Sequence, residues 1–295
     1  MSHDAADAAD AALATGIYLY GLSRQDGLAS LDKMAGLGLQ SDDAASGVEL
    51  PTPVQPVTLL PGFGAAAELL ALISEVRIDN FSETNLQTLG WVGARAAQHE
   101  AVVAVAMSVA TVLPVKFATI FRSRASLQQF MEKHGASIES ALDALHGKAE
   151  WSVKAYSVDA QARDSIAAAD PEIASRRAAL SNTPGARYMQ QKKIDALIEL
   201  ALEKELARAA HDLLQKLQIC VEASCPLRCH TSAVTGRSER MVFNASFLLS
   251  DNALADFEAA VSAQQAVYQA MGLTLELRGP WPPYNFCPDL SGASL

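Results

Sequence analysis

The chain has 295 residues, of which 50% are hydrophobic, 6% aromatic and 19% charged. This length and composition favour a folded protein with a large core and two domains. The formal net charge of -10 argues against a nucleic-acid binder, because phosphate contacts require clustered Lys and Arg. One locally basic stretch is interpreted as a solvated helix face; it contains Arg176, Arg177, Arg187, Lys192 and Lys193.

The first residues carry Asp4, Asp7 and Asp10 among alanines, with no cationic start and no apolar centre, which does not fit a signal peptide. We expect residues 1–14 to be disordered. The longest uncharged run, Ala101 to Val115, is shorter than the roughly 20 apolar residues that a membrane span requires. We therefore expect a cytoplasmic protein without a membrane span, whose four cysteines are reduced thiols.

The first half of the chain predicts an α+β domain over residues 1–148, with about four strands and with helices on one side. A stripe of apolar residues from Leu89 to Ala110, at steps of three and four, predicts a helix that contains His99. A Gly-, Asp-, Ser- and Pro-rich stretch, Gly36 to Pro56, predicts a loop. The other predicted elements are strands at 16–22, 57–60, 70–77 (with a helix as the alternative for 70–77) and 112–120, and helices at 126–134 and 138–145 ended by Gly147.

The second half, residues 149–295, predicts a modified ferredoxin-like βαββαβ domain with a long helix and an aromatic, proline-rich tail. The long helix runs from Pro184 to about Leu217, with a stripe at Ile194, Ile198, Leu202, Leu206, Ala209, Leu213 and Leu217, and with an Asp212–Lys216 pair. The other predicted elements are strands at 151–158, 219–223, 241–249 and 273–277, a polar helix within 170–182, and a helix at 256–271 capped by Ser250 or Asp251. The fold class is thus α+β, with a small mixed or antiparallel sheet and helices in each domain.

The tail contains the segment 278–286, which reads RGPWPPYNF. Its three prolines remove backbone donors, so we expect the chain to leave the sheet at Gly279 and to run on as a stiff, extended strip. Trp281, Tyr284 and Phe286 each offer a large apolar area. In one interpretation Trp281 and Tyr284 pack between the domains and lock their orientation, and in the other the aromatic rings contact a partner. Full burial of Trp281 would make its replacement by Ala cost roughly 3 to 5 kcal/mol.

Three groups of residues could form a metal, catalytic or nucleotide site. For each group we favour a purely structural role. Cys220, Cys225, Cys229 and His230 could meet one Zn²⁺ ion, but no Cys-x-x-Cys is present and a proline interrupts the group. His99 next to Glu100 could act as an acid or base, but a lone histidine on an apolar stripe is more often a hydrogen-bonded core residue. The Gly62-Phe63-Gly64 run is only a loose dinucleotide fingerprint.

Eight fragments, in order along nearly the whole chain, carry a resemblance to the gas vesicle protein F and L family. They are Ile17–Gly21, Ile73–Val76, Ala97–Val102, Val112–Phe121, Glu150–Lys154, Pro184–Tyr188, Phe243–Leu248 and Gly279–Phe286. This chain departs from the family at Lys116 and Ala118, where Arg and Gly are usual, and at Ser246 or Phe247, where Tyr is usual.

The resemblance implies two α+β domains and a minor structural or assembly protein with no catalytic residues, no cofactor and no metal. The implied partners are the gas vesicle shell protein, of the GvpA type, and other accessory proteins, and the implied location is the gas vesicle. We predict an interface that contains Arg187, Tyr188, Trp281, Tyr284 and Phe286. Two alternatives from other classes are a metal-dependent or thiol enzyme centred on Cys220 to His230, and a small-ligand regulatory module.

Overall fold

The computed structural model describes residues 15–27, 29–31 and 57–290, so the predicted disordered start and the predicted loop Gly36 to Pro56 lie outside the described residues. These residues form two compact units. Unit 1 consists of the described residues up to Gly147 together with those from Pro282 onward, and unit 2 is Lys148–Trp281. The domain bounds 1–148 and 149–295 stay predictions. The compact units differ from them by placing the end of the strip in unit 1.

Unit 1 contains a five-stranded antiparallel sheet in the order β2-β3-β1-β4, with β5 also paired to β1. Nearly every residue of β1 is buried, which fits its continuous apolar sequence and its central position. The strands predicted at 16–22, 57–60 and 70–77 are confirmed. The strands are β1 (Thr15–Arg24), β2 (Thr58–Pro61), β3 (Leu69–Arg77), β4 (Leu113–Pro114) and β5 (Ile120–Phe121).

The single strand predicted at 112–120 is wrong, because the chain forms the two short strands β4 and β5 with a loop between them. Ala118 lies in this loop with a φ of 63°, a left-handed conformation that cannot continue a strand. Ala118 is also the position at which the resemblance described above has Gly as the usual residue. A side chain therefore occupies a backbone conformation in which glycine is the least strained residue.

Unit 1 has three helices whose full bounds are described, α1 (Glu83–Gln87), α2 (Leu89–Met107) and α3 (Arg124–Leu145). Residues 29–31 are helical as well. The predicted helix stripe is confirmed at α2, which buries His99, Val102, Val103 and Ala106, although Leu89 is 88% exposed. The two helices predicted at 126–134 and 138–145 form one helix instead. Gly135 continues this helix at a buried position, where a Cβ would lie 3.8 Å from the Ala65 carbonyl oxygen.

Unit 2 contains a four-stranded antiparallel sheet in the order β7-β8-β6-β9, with β6 and β8 in the centre. The strands are β6 (Lys148–Ser157), β7 (Ala223–Pro226), β8 (Arg240–Ser250) and β9 (Leu273–Trp281). The helices are α4 (Asp159–Ala169), α5 (Pro171–Ala178), α6 (Pro184–Leu217), α7 (Ser232–Thr235) and α8 (Leu254–Gln269). Two antiparallel sheets with helices confirm the α+β class. The ferredoxin-like classification of unit 2 stays a prediction.

The helix α6 confirms the predicted apolar stripe, because all seven of its predicted residues are buried. The C-terminal half of the stripe packs with Phe247 of β8 and Phe257 of α8 in the main core of the unit. The N-terminal half, Ile194 and Ile198, packs instead in a smaller cluster with Ile173 of α5. One long helix thus supports two separate cores.

Four local features of unit 2 differ from the predictions. The strand predicted at 219–223 is wrong, because Gln218–Cys220 form a 3₁₀ turn and the strand β7 begins only at Ala223. Helix α4 was not predicted, since its alanine-rich sequence has few large apolar residues. Asp212 pairs with Arg208 at 3.2 Å rather than with Lys216. Helix α8 begins after Ala253 without a side-chain cap, and the residues proposed as caps stand one turn earlier.

The strip does not leave the sheet at Gly279, because β9 continues to Trp281 and pairs there with Glu150 of β6. β9 pairs with β6 alone and lies at an edge of the sheet, where a proline removes no ladder hydrogen bond. A Cβ on Gly279 would lie 2.8 Å from the Trp151 ring, so this close approach requires glycine. None of the helices in the described residues is long and apolar enough to cross a bilayer.

Candidate functional site

The end of the strip is fixed within unit 1 by Tyr284, which lies in a short 3₁₀ turn, Tyr284–Phe286. The Tyr284 hydroxyl is 3.0 Å from Nε2 of His99 on α2. It also forms a hydrogen bond with the carboxylate of Glu100, the next residue of the helix. Two adjacent polar residues of α2 therefore hold an aromatic residue that lies 185 positions further along the chain than His99.

His99 connects the strip to the sheet through a continuous hydrogen-bond network. Its Nε2 is 3.1 Å from the Val115 carbonyl oxygen, which can only accept, so Nε2 carries the proton. Its Nδ1 then accepts from the Tyr18 hydroxyl at 2.8 Å. The Tyr18 oxygen accepts in turn from the Ala118 N–H at 3.1 Å. Ala118, the residue with a left-handed φ, is therefore part of the same network.

Burial sets the protonation states of this network. It lowers the pKa of His99 to about 4, while the hydrogen bond to Val115 acts in the opposite direction. It also raises the pKa of Tyr18 and of Tyr284 well above their usual range. At neutral pH the imidazole is uncharged and both tyrosines are protonated. The network therefore has the properties of a structural anchor, and the prediction that His99 is a hydrogen-bonded core residue is confirmed.

A groove of about 550 Å³ lies beside the anchored strip in unit 1. Its walls come from β1, from the segment that joins β4 to β5, from α3, and from the strip itself. Apolar groups dominate the lining, and Lys116 and Asp289 contribute the charges. The apolar residues that line it are Leu19, Leu113, Pro114, Val115, Phe121, Phe130, Pro288 and Leu290. A groove of this chemistry can accept apolar side chains of a partner.

The predicted interface residues occupy different settings. Tyr284 and Phe286 share the anchored turn and are half-buried. Trp281 ends β9 of unit 2 with 49% of its surface exposed, so the condition for a 3 to 5 kcal/mol cost, full burial, does not hold. Arg187 and Tyr188 follow one another near the start of α6 and are exposed.

The start of α6 is exposed on all sides, because every residue from 182, just before the helix, to 190 is exposed. Tyr188 and Met189 have 59% and 58% of their surfaces exposed, and Leu200 further along has 70%. Sequence reasoning identified Tyr188 through the family fragment and missed Met189 and Leu200. A count of the apolar positions outside the buried stripe of the helix would have found both.

The four candidate metal ligands of the cysteine-rich connection are spread over a turn, a strand and a loop. Cys220 ends a 3₁₀ turn, Cys225 lies in β7, and Cys229 and His230 follow in an exposed loop. Across residues 15–27, 29–31 and 57–290, no group of three His, Cys, Asp or Glu side chains is placed to hold a metal ion. The Gly62–Gly64 run joins β2 to β3 in an antiparallel hairpin, where the helix that a dinucleotide site requires is replaced by a 3₁₀ turn.

Comparisons with known proteins place the chain among gas vesicle proteins. A family model described as gas vesicle synthesis protein GvpL/GvpF matches residues 16–288. Gas vesicle protein L of Streptomyces sp. (strain CB03234) is 28% identical over 228 residues, which cover 74% of this chain and 80% of the relative. Gas vesicle protein F of the same strain is 26% identical over 272 residues, which cover 91% of this chain and 98% of the relative.

Two solved structures share the fold. The crystal structure of the gas vesicle protein GvpF from Anabaena sp. PCC7120 matches with a TM-score of 0.60 and 18% identity, and the match covers 93% of this chain and 96% of that chain. GvpF from Microcystis aeruginosa matches with a TM-score of 0.58 and 16% identity over 92% and 99% of the two chains. Both cover the two units, so the similarity concerns the whole arrangement of elements along the chain.

Proposed function

Since the chain belongs to the gas vesicle synthesis protein GvpL/GvpF family, we propose that it binds the hydrophobic shell protein of the gas vesicle and supports nucleation and growth of the shell. In this role it is a minor structural component that acts at the vesicle, within the cytoplasm. Family membership over residues 16–288 is the observation that carries the proposal.

The physical need for such a partner comes from the shell protein itself. A small subunit that assembles through apolar surfaces and strand edges aggregates unless those surfaces are covered before assembly. A protein that covers them must offer an apolar surface of its own, held in place by a rigid scaffold. Binding then competes with aggregation and ends when the subunit joins the growing shell.

The groove beside the strip is our proposed docking surface in unit 1. It is lined by apolar side chains, and the Tyr284 anchor fixes one of its walls to α2. Hydrogen bonds within the chain already fix this wall before a partner binds. The entropy cost of ordering the wall on binding is therefore small. We assign Tyr284 a positioning role, and we assign partner contact to Phe286 and to the apolar residues of the groove.

The other predicted interface residues, Arg187, Tyr188 and Trp281, contribute separate exposed surfaces on unit 2. Trp281 is a candidate for direct contact because about half of the residue's surface is exposed. We propose that these residues bind shell protein or further accessory proteins of the vesicle. Replacement of Trp281 by Ala should therefore weaken partner binding and leave the melting temperature nearly unchanged.

The experiment is co-purification of the shell protein with the tagged chain from cells that express both. We expect retention by the wild type and a clear loss with Leu290→Glu, which places a charge in the groove. Leu86→Glu is the matched control, because Leu86 is an exposed leucine of unit 1 outside the groove lining, and it should retain the shell protein.

Two outcomes would contradict different parts of the proposal. A strain that lacks this gene and still makes normal vesicles would overturn the assembly role. Equal retention of the shell protein by Leu290→Glu and by the wild type would leave that role intact and would reject the groove as the docking surface.

A further inference from the structure

The long helix α6 carries a second apolar stripe on the side opposite its buried one. At about 100° per residue, Met189, Ala196 and Leu200 lie within about 40° of one another around the helix axis. The centre of this set is about 160° from the buried pair Ile194 and Ile198. All three residues of the second stripe are exposed. We call this surface the outer face of α6.

The outer face has the spacing with which one helix packs against another. Its apolar positions are separated by seven and four residues, which are helix repeat distances. Tyr188 lies at one border of the face. Isolated exposed apolar residues are common, but a stripe that extends over three turns is the form that a helix-binding surface takes.

Two cations lie on the same face between the apolar residues. Lys192 and Lys193 are exposed, and neither belongs to an ion pair among residues 15–27, 29–31 and 57–290. The Lys192 Nζ lies 5.1 Å from the centroid of the Tyr188 ring, a contact that leaves the charge accessible. Of the acids nearby, Glu199 is paired with Arg163 at 2.6 Å, and Glu203, which lies on the outer face, is paired with Arg240 at 2.6 Å. Asp195 lies toward the buried side and accepts from a glutamine.

We propose that the outer face of α6 binds an acidic amphipathic helix of a partner protein. Leucine-like side chains of that helix pack on Met189, Ala196 and Leu200, and its carboxylates lie beside Lys192 and Lys193. This interaction is distinct from shell-protein binding at the groove and does not depend on it.

The composition of the face favours a protein partner over a polyanion. Two lysines are too few to hold a nucleic acid at physiological salt, where affinity depends on the number of phosphates neutralised. An acidic amphipathic helix satisfies both the charges and the apolar stripe, and its charge adds specificity and speed of association.

The test uses the full chain and a fluorescent 18-residue peptide that places leucines on one helix face and glutamates along both flanks. Fluorescence anisotropy should show saturable binding that weakens as salt is raised. A peptide of the same composition with shuffled order should bind about tenfold more weakly or not at all, because it has no apolar stripe. A peptide with lysine in place of glutamate should not bind.

Variants then locate the site. Lys192→Glu together with Lys193→Glu should weaken peptide binding by about tenfold or more. Leu200→Ser should weaken it by about fivefold, because apolar burial is lost. The matched control combines Arg122→Glu with Lys133→Glu, two exposed cations of unit 1, and should bind like the wild type at the same net charge. Circular dichroism confirms that each variant is folded.

Several results would overturn the proposal. One is equal weakening by the control variant, which would assign the effect to net charge. Another is equal binding of the shuffled peptide. Absence of peptide binding by the folded wild type at low salt is a third. Tighter binding of single-stranded DNA or of phosphatidylserine vesicles than of the peptide would identify a general anion surface instead.

Discussion

Unit 1 buries a histidine and two tyrosines beside its sheet, whereas the main core of unit 2 is built from aliphatic and aromatic side chains. In unit 1, Tyr18, His99 and Tyr284 meet through hydrogen bonds whose partners are far apart in sequence. In unit 2, Phe247 and Phe257 meet with ring centroids 5.2 Å apart. The first core depends on polar groups that must be paired, and the second depends on shape and volume.

This difference separates two kinds of sensitivity. Loss of volume in an apolar core is costly at any pH, because a cavity remains. A buried polar network responds to protonation and to the loss of single atoms. The variants below test whether the two units respond in these two ways.

The largest effect is expected from Phe257→Ala, which removes a fully buried ring from unit 2. We expect it to reduce the free energy of unfolding of this unit by about 3 to 5 kcal/mol. Hydrogen exchange measured by mass spectrometry should show lost protection in β8 and α8. Phe63→Ala is the control, because Phe63 is 54% exposed, and a comparable loss in that variant would contradict the volume argument.

The pH dependence of unit 1 should follow His99. Burial lowers its pKa in the folded state to about 4, against 6.5 for the unfolded chain, so the unfolded state binds more protons between these values. The contribution of the neutral His99 side chain to the free energy of unfolding is complete above pH 6.5 and is lost as the pH falls toward 4. Between pH 7 and pH 5 we expect a loss of about 2 kcal/mol.

Urea unfolding of the wild type and of His99→Gln at both pH values measures this loss. The glutamine variant has lower stability at pH 7 because the network is altered, but it should lack the histidine part of the pH dependence. Equal pH dependence in the two proteins would show that the imidazole is not buried in its neutral form.

Tyr284→Phe tests the anchor of the strip. The ring stays and only the hydroxyl that contacts His99 and Glu100 is removed, so we expect a loss of about 1 kcal/mol. Faster hydrogen exchange in the 284–290 segment measures it. Tyr188→Phe removes the same atom from an exposed tyrosine and should change exchange nowhere; similar behaviour of the two variants would argue against the anchor.

The smallest effect is expected from Ala118→Gly, which should stabilise the protein. The left-handed φ of 63° costs an L-residue about 1 to 2 kcal/mol, and glycine removes this cost. Glycine also loses about 0.5 to 1 kcal/mol more conformational entropy on folding than alanine. The expected net stabilisation is about 0.5 kcal/mol. Ala136→Gly in the middle of α3 should instead destabilise by about 1 kcal/mol. A lower melting temperature in both variants would reject the strain at Ala118.

The sequence by itself determined the elements whose signal is local. The buried stripe of α6 was predicted residue by residue, because a helix repeats every 3.6 positions and one face must be covered. The strand β1 was predicted from a short run of aromatic and β-branched residues between glycines, and the ordered family fragments identified the family. His99 was correctly predicted as a buried, hydrogen-bonded residue, although its partners were not.

Only the tertiary structure decided which distant residues meet. Nothing in the spacing of Tyr18, His99 and Tyr284 indicates a network, since their separations of 81 and 185 residues follow from the path of the chain. The same holds for the strip, whose first half extends β9 in unit 2 and whose last half belongs to unit 1. The spacing of apolar residues in the sequence predicts which face of a helix or strand is buried. Only the packing of elements that are distant in sequence determines what that face contacts.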